Sequence, residues 1–336
     1  VNAPPLPDRR HRWLLPLLIL LLATAAAASL ALGPVPLPVP RILSALTGHG
    51  DRIATAIVVD LRLPRLLVGL LVGAILGLSG AVLQGYLRNP LAEPSVLGAS
   101  NGAALGAVVA IYFGLAEWNM ALLPLMAIAC GLVALSMLFV LAGNSGSPLT
   151  LILAGIAVST LAGAGISLAL NLSPNPFAAM EITSWLLGSL ENRSMRHVWI
   201  ALPCVLAGTA LLLGSGKVLD ALSLGEDAAQ SLGLDLARAR LPILLGTAIG
   251  VGGAVAVSGS IGFVGLIVPH LIRPFTDRSP STLLLPSMIG GAVLLTLADV
   301  AVRIIPTQAE LKLGVVTAFL GVPVFLLHLM RERRIW

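Results

Sequence analysis

Long apolar runs return from one end of this chain to the other, and polar positions gather in short breaks between them. A run of about twenty apolar residues is long enough to cross a hydrocarbon core as a helix. Read this way, the pattern predicts helices near 13–32, 62–85, 95–114, 119–142, 149–171, 195–214, 238–258, 262–274, 281–304 and 311–330. The span 262–274 is too short to cross alone, so it is either tilted and buried or part of a broken helix. Residues 33–61 are punctuated by Pro and Gly and form the longest polar-containing connection, with room for short interfacial helices.

The second and third spans carry glycines four apart: Gly69, Gly73 and Gly77, then Gly98, Gly102 and Gly106. Glycines at that spacing lie on one helix face and admit a neighbouring backbone, which is how helices associate where no water drives them together. Between the two ladders stands the break Arg88-Asn89-Pro90. The pattern predicts a packed bundle rather than isolated anchors.

Composition agrees. The 336 residues are 57% hydrophobic and 10% charged, far below the roughly 25% charge of a soluble domain. The apolar runs leave no room for an ordinary soluble domain, so residues 1–336 read as one transmembrane domain. The net charge of +5 sits on loop ends and not on a soluble basic module, which excludes a nucleic-acid surface. Cys130 and Cys204 fall inside apolar runs and read as packing residues.

Asp8-Arg9-Arg10-His11-Arg12 precedes the first run. A basic front, a Leu-rich core and an Ala-rich end also fit a cleaved leader. The length favours a first helix with its basic end in the cytoplasm. Ten helices put both termini on one face, so tails 1–12 and 331–336 are expected in the cytoplasm. A modest majority of the twenty Lys and Arg residues then lies inside. Arg62, Arg65 and Arg303 fall on the disfavoured outer side.

Arg62-Leu63-Pro64-x-Leu66-Leu67 recurs as Arg240-Leu241-Pro242-x-Leu244-Leu245, and Ser79-Gly80 as Ser258-Gly259. The copies begin at helices two and seven, an odd number of crossings apart, so helices 2–5 and 7–10 are expected as inverted repeats, an arrangement common in transporters. No HExxH, paired-Cys metal spacing or Ser/His/Asp set is present. Gly214-Ser215-Gly216-Lys217 lacks the leading glycine and the Ser/Thr of a phosphate loop. The chain is therefore read as a transporter and not an enzyme, without metal or cofactor of its own. If ATP drives it, the nucleotide binds another polypeptide.

The largest inward loop, 218–237, punctuates as two short helices: Leu224-Gly225 ends one, Glu226-Asp227 start the next, and Leu232-Gly233 closes it. A surface helix with Ala228, Ala229 and Leu232 on one side suits a groove on a partner. An ion-coupled secondary transporter is the competing reading, but it needs coupling-ion acids at mid-membrane, and the sequence lacks a convincing set. Asp299 stands four residues before Arg303, hence on the same face, where each lowers the other's burial cost.

From residue 62 to 330 the chain resembles the FecCD-type permeases of ABC importers of iron chelates, haem or cobalamin. The resemblance rests on RLPR at 62–65, SGAVLQ at 79–84, RNPLAEPSVLGASNGA at 88–103 and LILAGIAVS at 151–159, then LSLGEDAAQSLG at 222–233, SGSIGFVGLIVPHLIR at 258–273, LADVAVR at 297–303 and ELKLGVVTAFLGVPVF at 310–325. Lys312 stands where the family commonly has proline. The resemblance implies an all-α ten-helix subunit working as a twofold homodimer in the bacterial inner membrane and moving cargo by alternating access. It implies two cytoplasmic ATPase subunits holding ATP and Mg, and one periplasmic or lipid-anchored substrate-binding protein. By residue, it implies ATPase coupling at Leu224, Gly225, Glu226, Asp227, Ala229, Leu232 and Gly233. Binding-protein docking falls on Arg62, Arg65 and Arg303, an inner gate on Asn144, Ser145, Gly146 and Ser147, and structural motif positions on Asn89, Pro90, Pro269, His270 and Asp299.

Overall fold

A computed structural model describes residues 9–332 apart from 96–97, 120, 143–147, 174, 278 and 308–309. The expected gate residues Asn144, Ser145, Gly146 and Ser147 lie outside the described residues, as does almost all of both tails. All regular structure among the described residues is helical. Ten helices build the bundle: α1 Arg9–Ala31, α2 Leu63–Tyr86, α3 Ala99–Tyr112, α4 Leu122–Ala142, α5 Pro148–Asn171, α6 Met195–Leu213, α7 Leu236–Ser258, α8 Val264–Ile272, α9 Pro280–Ile304 and α10 Leu313–Glu332. Seven are long and apolar enough to cross a membrane, and α3, α8 and α10 are the shorter apolar ones.

The helices α2, α7 and α9 form the centre, 72–78% buried along their most apolar stretches, whereas α1, α4, α5 and α6 are only 22–35% buried. The glycine ladders explain the centre. A Cβ on Gly73 or Gly77 of α2 would strike the backbone of Gly291 or Ser287 on α9. One on Gly80 would strike the Gly265 carbonyl of α8. On α3, Gly102 and Gly106 admit α4 at Cys130, Ala134 and Met126. Each ladder thus has its own partner helix, as small-residue seams provide where lipid tails are as apolar as leucine.

Helices alternate in direction. Tyr86 at the end of α2 meets Arg240 at the start of α7 (2.8 Å), while Arg65 at the start of α2 meets Asp299 near the end of α9. The two faces are called here the Lys217 face and the Arg65 face. The repeat copies at Arg62 and Arg240 begin on opposite faces, as inversion requires. The connection 33–61 holds two short helices, Val39–Leu46 and Arg52–Thr55. The second continues through a π-helical stretch, Ala56–Arg62, into α2.

The short span takes the broken-helix form. After Ser258 the chain is non-helical through 259–263 before α8 begins. Leu190, beside Ser258, packs at Gly69 of α2, whereas Gly265 packs at Gly80. Those glycines are about 16 Å apart along the helix, a distance that the intervening non-helical residues can bridge. The segment therefore carries the chain lengthwise through the bundle interior. Irregular backbone is tolerated at such depth only inside protein. Here, Gly188, Gly314 and Gly321 leave room for Ser260 and Phe263.

Candidate functional site

On the Lys217 face, the loop after α6 folds into Gly216–Leu222 and Glu226–Ser231. Gly225 between them takes φ 105°, open to glycine and strained for other residues, and Gly233 closes the second helix at φ 84°. Glu226 and Asp227 occupy its first turn, where the helix dipole favours acids. Asp220 accepts the Ser281 N–H (2.9 Å) and Arg88 reaches Glu226 (3.4 Å), which moors the unit to α9 and to the connection 87–98.

The exposed side of this unit differs from the sequence expectation. Leu224 and Leu232 are 68% and 66% exposed, whereas Ala229 is fully buried. Ala229 turns into the protein, and its carbonyl accepts the Leu234 N–H (3.1 Å). It is a packing position, and the exposed positions of the unit include Leu224, Asp227 and Leu232.

The Arg65 face adds contacts that the sequence did not show. Arg62, Arg65 and Arg303 were expected to meet a binding protein, with Asp299 beside Arg303, and all three side chains are engaged within the chain. Arg62 is buried and donates to the carbonyls of Leu30 (2.6 Å), Ala31 (2.9 Å) and Val35. Arg303 donates to the Ser29 carbonyl (3.0 Å), the Leu32 carbonyl (3.2 Å) and the Ser29 hydroxyl (2.8 Å). Together the two cap the C-terminal carbonyls of α1, which have no partner inside their own helix. Arg65 lies bidentate on Asp299 (2.7 and 2.9 Å) and also grips Glu310. Asp299 bonds Arg303 as well (3.1 Å), as the four-residue spacing predicted. None of the three guanidiniums is left free for a partner's carboxylate in this conformation. The signal that could have shown this is the density of acids and helix-end carbonyls near them, but those partners lie up to 274 residues away.

Beside this network is a well of about 270 Å³ between the four arginines 62, 65, 193 and 303 and the acids Glu191 and Glu310. Arg193 also lines a larger cavity of about 780 Å³ with Trp118, Trp185, Glu181 and His197. Its Nε is buried without a partner, and burial pushes its guanidinium below the ordinary arginine range against the pull of Glu191. Arg193 had no role in the sequence reading. Lys312 pairs with Glu191 (3.4 Å), and its carbonyl accepts the first amide bonds of α10. The missing family proline therefore leaves that helix start intact.

Two of the motif positions have plain local geometry. Asn89 folds an Asx turn onto the Leu91 N–H (2.9 Å) ahead of Pro90, and Pro269 lies buried within α8 beside His270. Among the described residues no group of His, Cys, Asp and Glu could hold a metal ion.

The family described as the FecCD transport family matches residues 18–331. An uncharacterized ABC transporter permease, YvrB of Bacillus subtilis, is 40% identical over 292 residues, covering 85% of this chain and 82% of the relative. The cobalamin import system permease BtuC of Halobacterium salinarum is 40% identical over 285 residues, covering 84% and 75%. Among solved structures, an inward-facing metal-chelate type ABC transporter superposes with a TM-score of 0.85 at 34% identity, covering 95% of this chain and 99% of that one.

Proposed function

From the premise that this chain belongs to the FecCD transport family as a multi-pass ABC transporter permease, we propose that it imports a metal chelate or corrinoid across the bacterial inner membrane by alternating access. The cargo class rests on a cobalamin permease and a metal-chelate transporter among its relatives. An iron chelate is the cargo we favour within it. The Lys217 face is then cytoplasmic, and both termini lie there.

The observation that carries this reading is the exposed helix Glu226–Ser231 with leucines standing clear at both ends. Water-exposed leucines moored by polar contacts suit a cleft on a second protein. That protein is a cytoplasmic ATPase, one for each of two permease copies, and ATP and Mg bind there. Each leucine buried in such a cleft contributes about 1.5–3 kcal/mol, enough to transmit motion when ATP draws the ATPases together. A binding protein docks on the Arg65 face. Since Arg62, Arg65 and Arg303 are engaged internally, its acids would compete with Asp299 and Glu310 for them, or meet Arg193.

The test is reconstitution with an ABC ATPase and a substrate-binding protein from the same organism. Leu224→Asp with Leu232→Asp should leave the permease folded but abolish ATPase association and uptake. Normal uptake by that variant would remove this helix from the interface. Ala229→Trp, by contrast, should disturb the permease itself.

A further inference from the structure

Glu93 is a carboxylate the transport reading leaves unused. It sits in the connection 87–98, which does not run flat across the Lys217 face. Leu87, Ala92, Pro94 and Gly98 of this connection are buried. Pro94 reaches Gly265, which packs against Gly80, about 9 Å inward from the end of α2. There the Glu93 carboxylate accepts the Phe263 N–H at 2.6 Å and bonds the Ser95 hydroxyl.

Phe263 is the residue where the non-helical segment 259–263 becomes α8. Its φ is 68°, and its carbonyl accepts the Leu266 and Ile267 amides. Two irregular connections thus enter the bundle from opposite faces, one after α2 and one after α7, and meet at this carboxylate. Close by, Gln84 donates to the Gly265 carbonyl (3.2 Å) and accepts from Arg273 (2.7 Å), which holds α8 to α2. At the other end of 259–263, Gly259 and Ser260 pack on Trp185, Gly188 and Gly314. At the near end of 87–98, Arg88 at φ 49° reaches Glu226 of the exposed helix.

We propose that Glu93 is a positioning residue that ties these two connections together, so that displacement of the helix Glu226–Ser231 reaches the Arg65 half of the bundle through 259–263. The inference rests on the ATPase-coupled reading above. A carboxylate suits the task because it is a strong acceptor at a helix start whose amides have no internal partner.

The experiment uses the complete transporter in nanodiscs and follows amide hydrogen exchange with and without vanadate-trapped nucleotide, together with ATP hydrolysis stimulated by the binding protein. In the wild type, nucleotide should alter exchange at both 222–233 and 259–267. Glu93→Ala should assemble and keep its basal hydrolysis and the response at 222–233. It should lose the response at 259–267, and stimulated hydrolysis should fall about tenfold. Glu93→Gln should stay within about twofold of wild type, because its amide oxygen still accepts the Phe263 N–H. Should Glu93→Ala fail to assemble, Glu93→Asp decides, since its acid is one methylene too short to reach and should uncouple where Gln does not. A wild-type response at 259–267 in Glu93→Ala, or Gln as defective as Asp, overturns the proposal. A wild-type complex with no response even at 222–233 would instead overturn the ATPase-coupled reading, whatever Glu93 does.

Discussion

Replacing Asp299 by Asn tests whether the arginine cluster on the Arg65 face stabilises the fold or serves a partner. The change keeps shape and removes one charge. Asp299 is 2% exposed and serves Arg65 through two bonds of 2.7 and 2.9 Å, and Arg303, itself 4% exposed, at 3.1 Å. Without the carboxylate, two guanidiniums share one neutral amide oxygen, and the amide N–H₂ beside it offers them no acceptor. Removing one member of a buried ion pair costs about 3–5 kcal/mol, because the remaining charge is left uncompensated. The loss is not doubled, since Glu310 still holds Arg65 and the Ser29 carbonyl still holds Arg303. For a chain of this length that corresponds to a fall of about 4–7 °C in the apparent unfolding midpoint. The free, half-buried thiols of Cys130 and Cys204 allow a thiol-reactive dye to report unfolding in detergent. Glu310→Gln should cost less, because Arg65 retains Asp299. An Asp299→Asn protein melting within about 1 °C of wild type, with only its binding-protein docking impaired, would refute the structural role and restore the docking one.

Gly80→Ala should abolish folded protein on size-exclusion, because its Cβ has no space beside the Gly265 carbonyl. Gly163→Ala, with nothing near its Cβ, should be neutral or raise stability by up to about 1 kcal/mol. Arg62→Ala uncaps two carbonyls at the end of α1 and frees that of Val35 in the following connection, and should speed proteolysis within 30–38. Arg62→Lys should rescue only in part, since one ammonium lacks the planar fork. Lys312→Ala removes a partly exposed pair at 3.4 Å and should shift stability by less than about 1 kcal/mol in the same thermal assay.

The ten helices, the shortness of the span before residue 274, the two short helices after α6 and the family were all legible in the sequence; that the short span is a broken helix and not a tilted one came from the structure. Each legible feature follows from information that is local in the chain. Apolar run length sets a helix, glycine at four-residue spacing sets a close-packed face, and Gly225 and Gly233 punctuate a loop whatever surrounds it. The Asp299–Arg303 pair was also legible, because four residues on a helix fix two side chains on one face. What only the tertiary structure decided are contacts between distant segments. Arg62, Arg65 and Arg303 read as rim charges because their partners, the end of α1 and Glu310, lie far along the chain. Ala229 and Leu232 looked equivalent until the fold placed Ala229 inside. Glu93 stood in a motif without a role, although an acid between two glycine-laddered helices is itself a signal of a buried task. Its meaning came only when α2 and α8 packed through Gly80 and Gly265 and brought Phe263 within 2.6 Å. Burial and pairing depend on which helices meet, and no local pattern carries that.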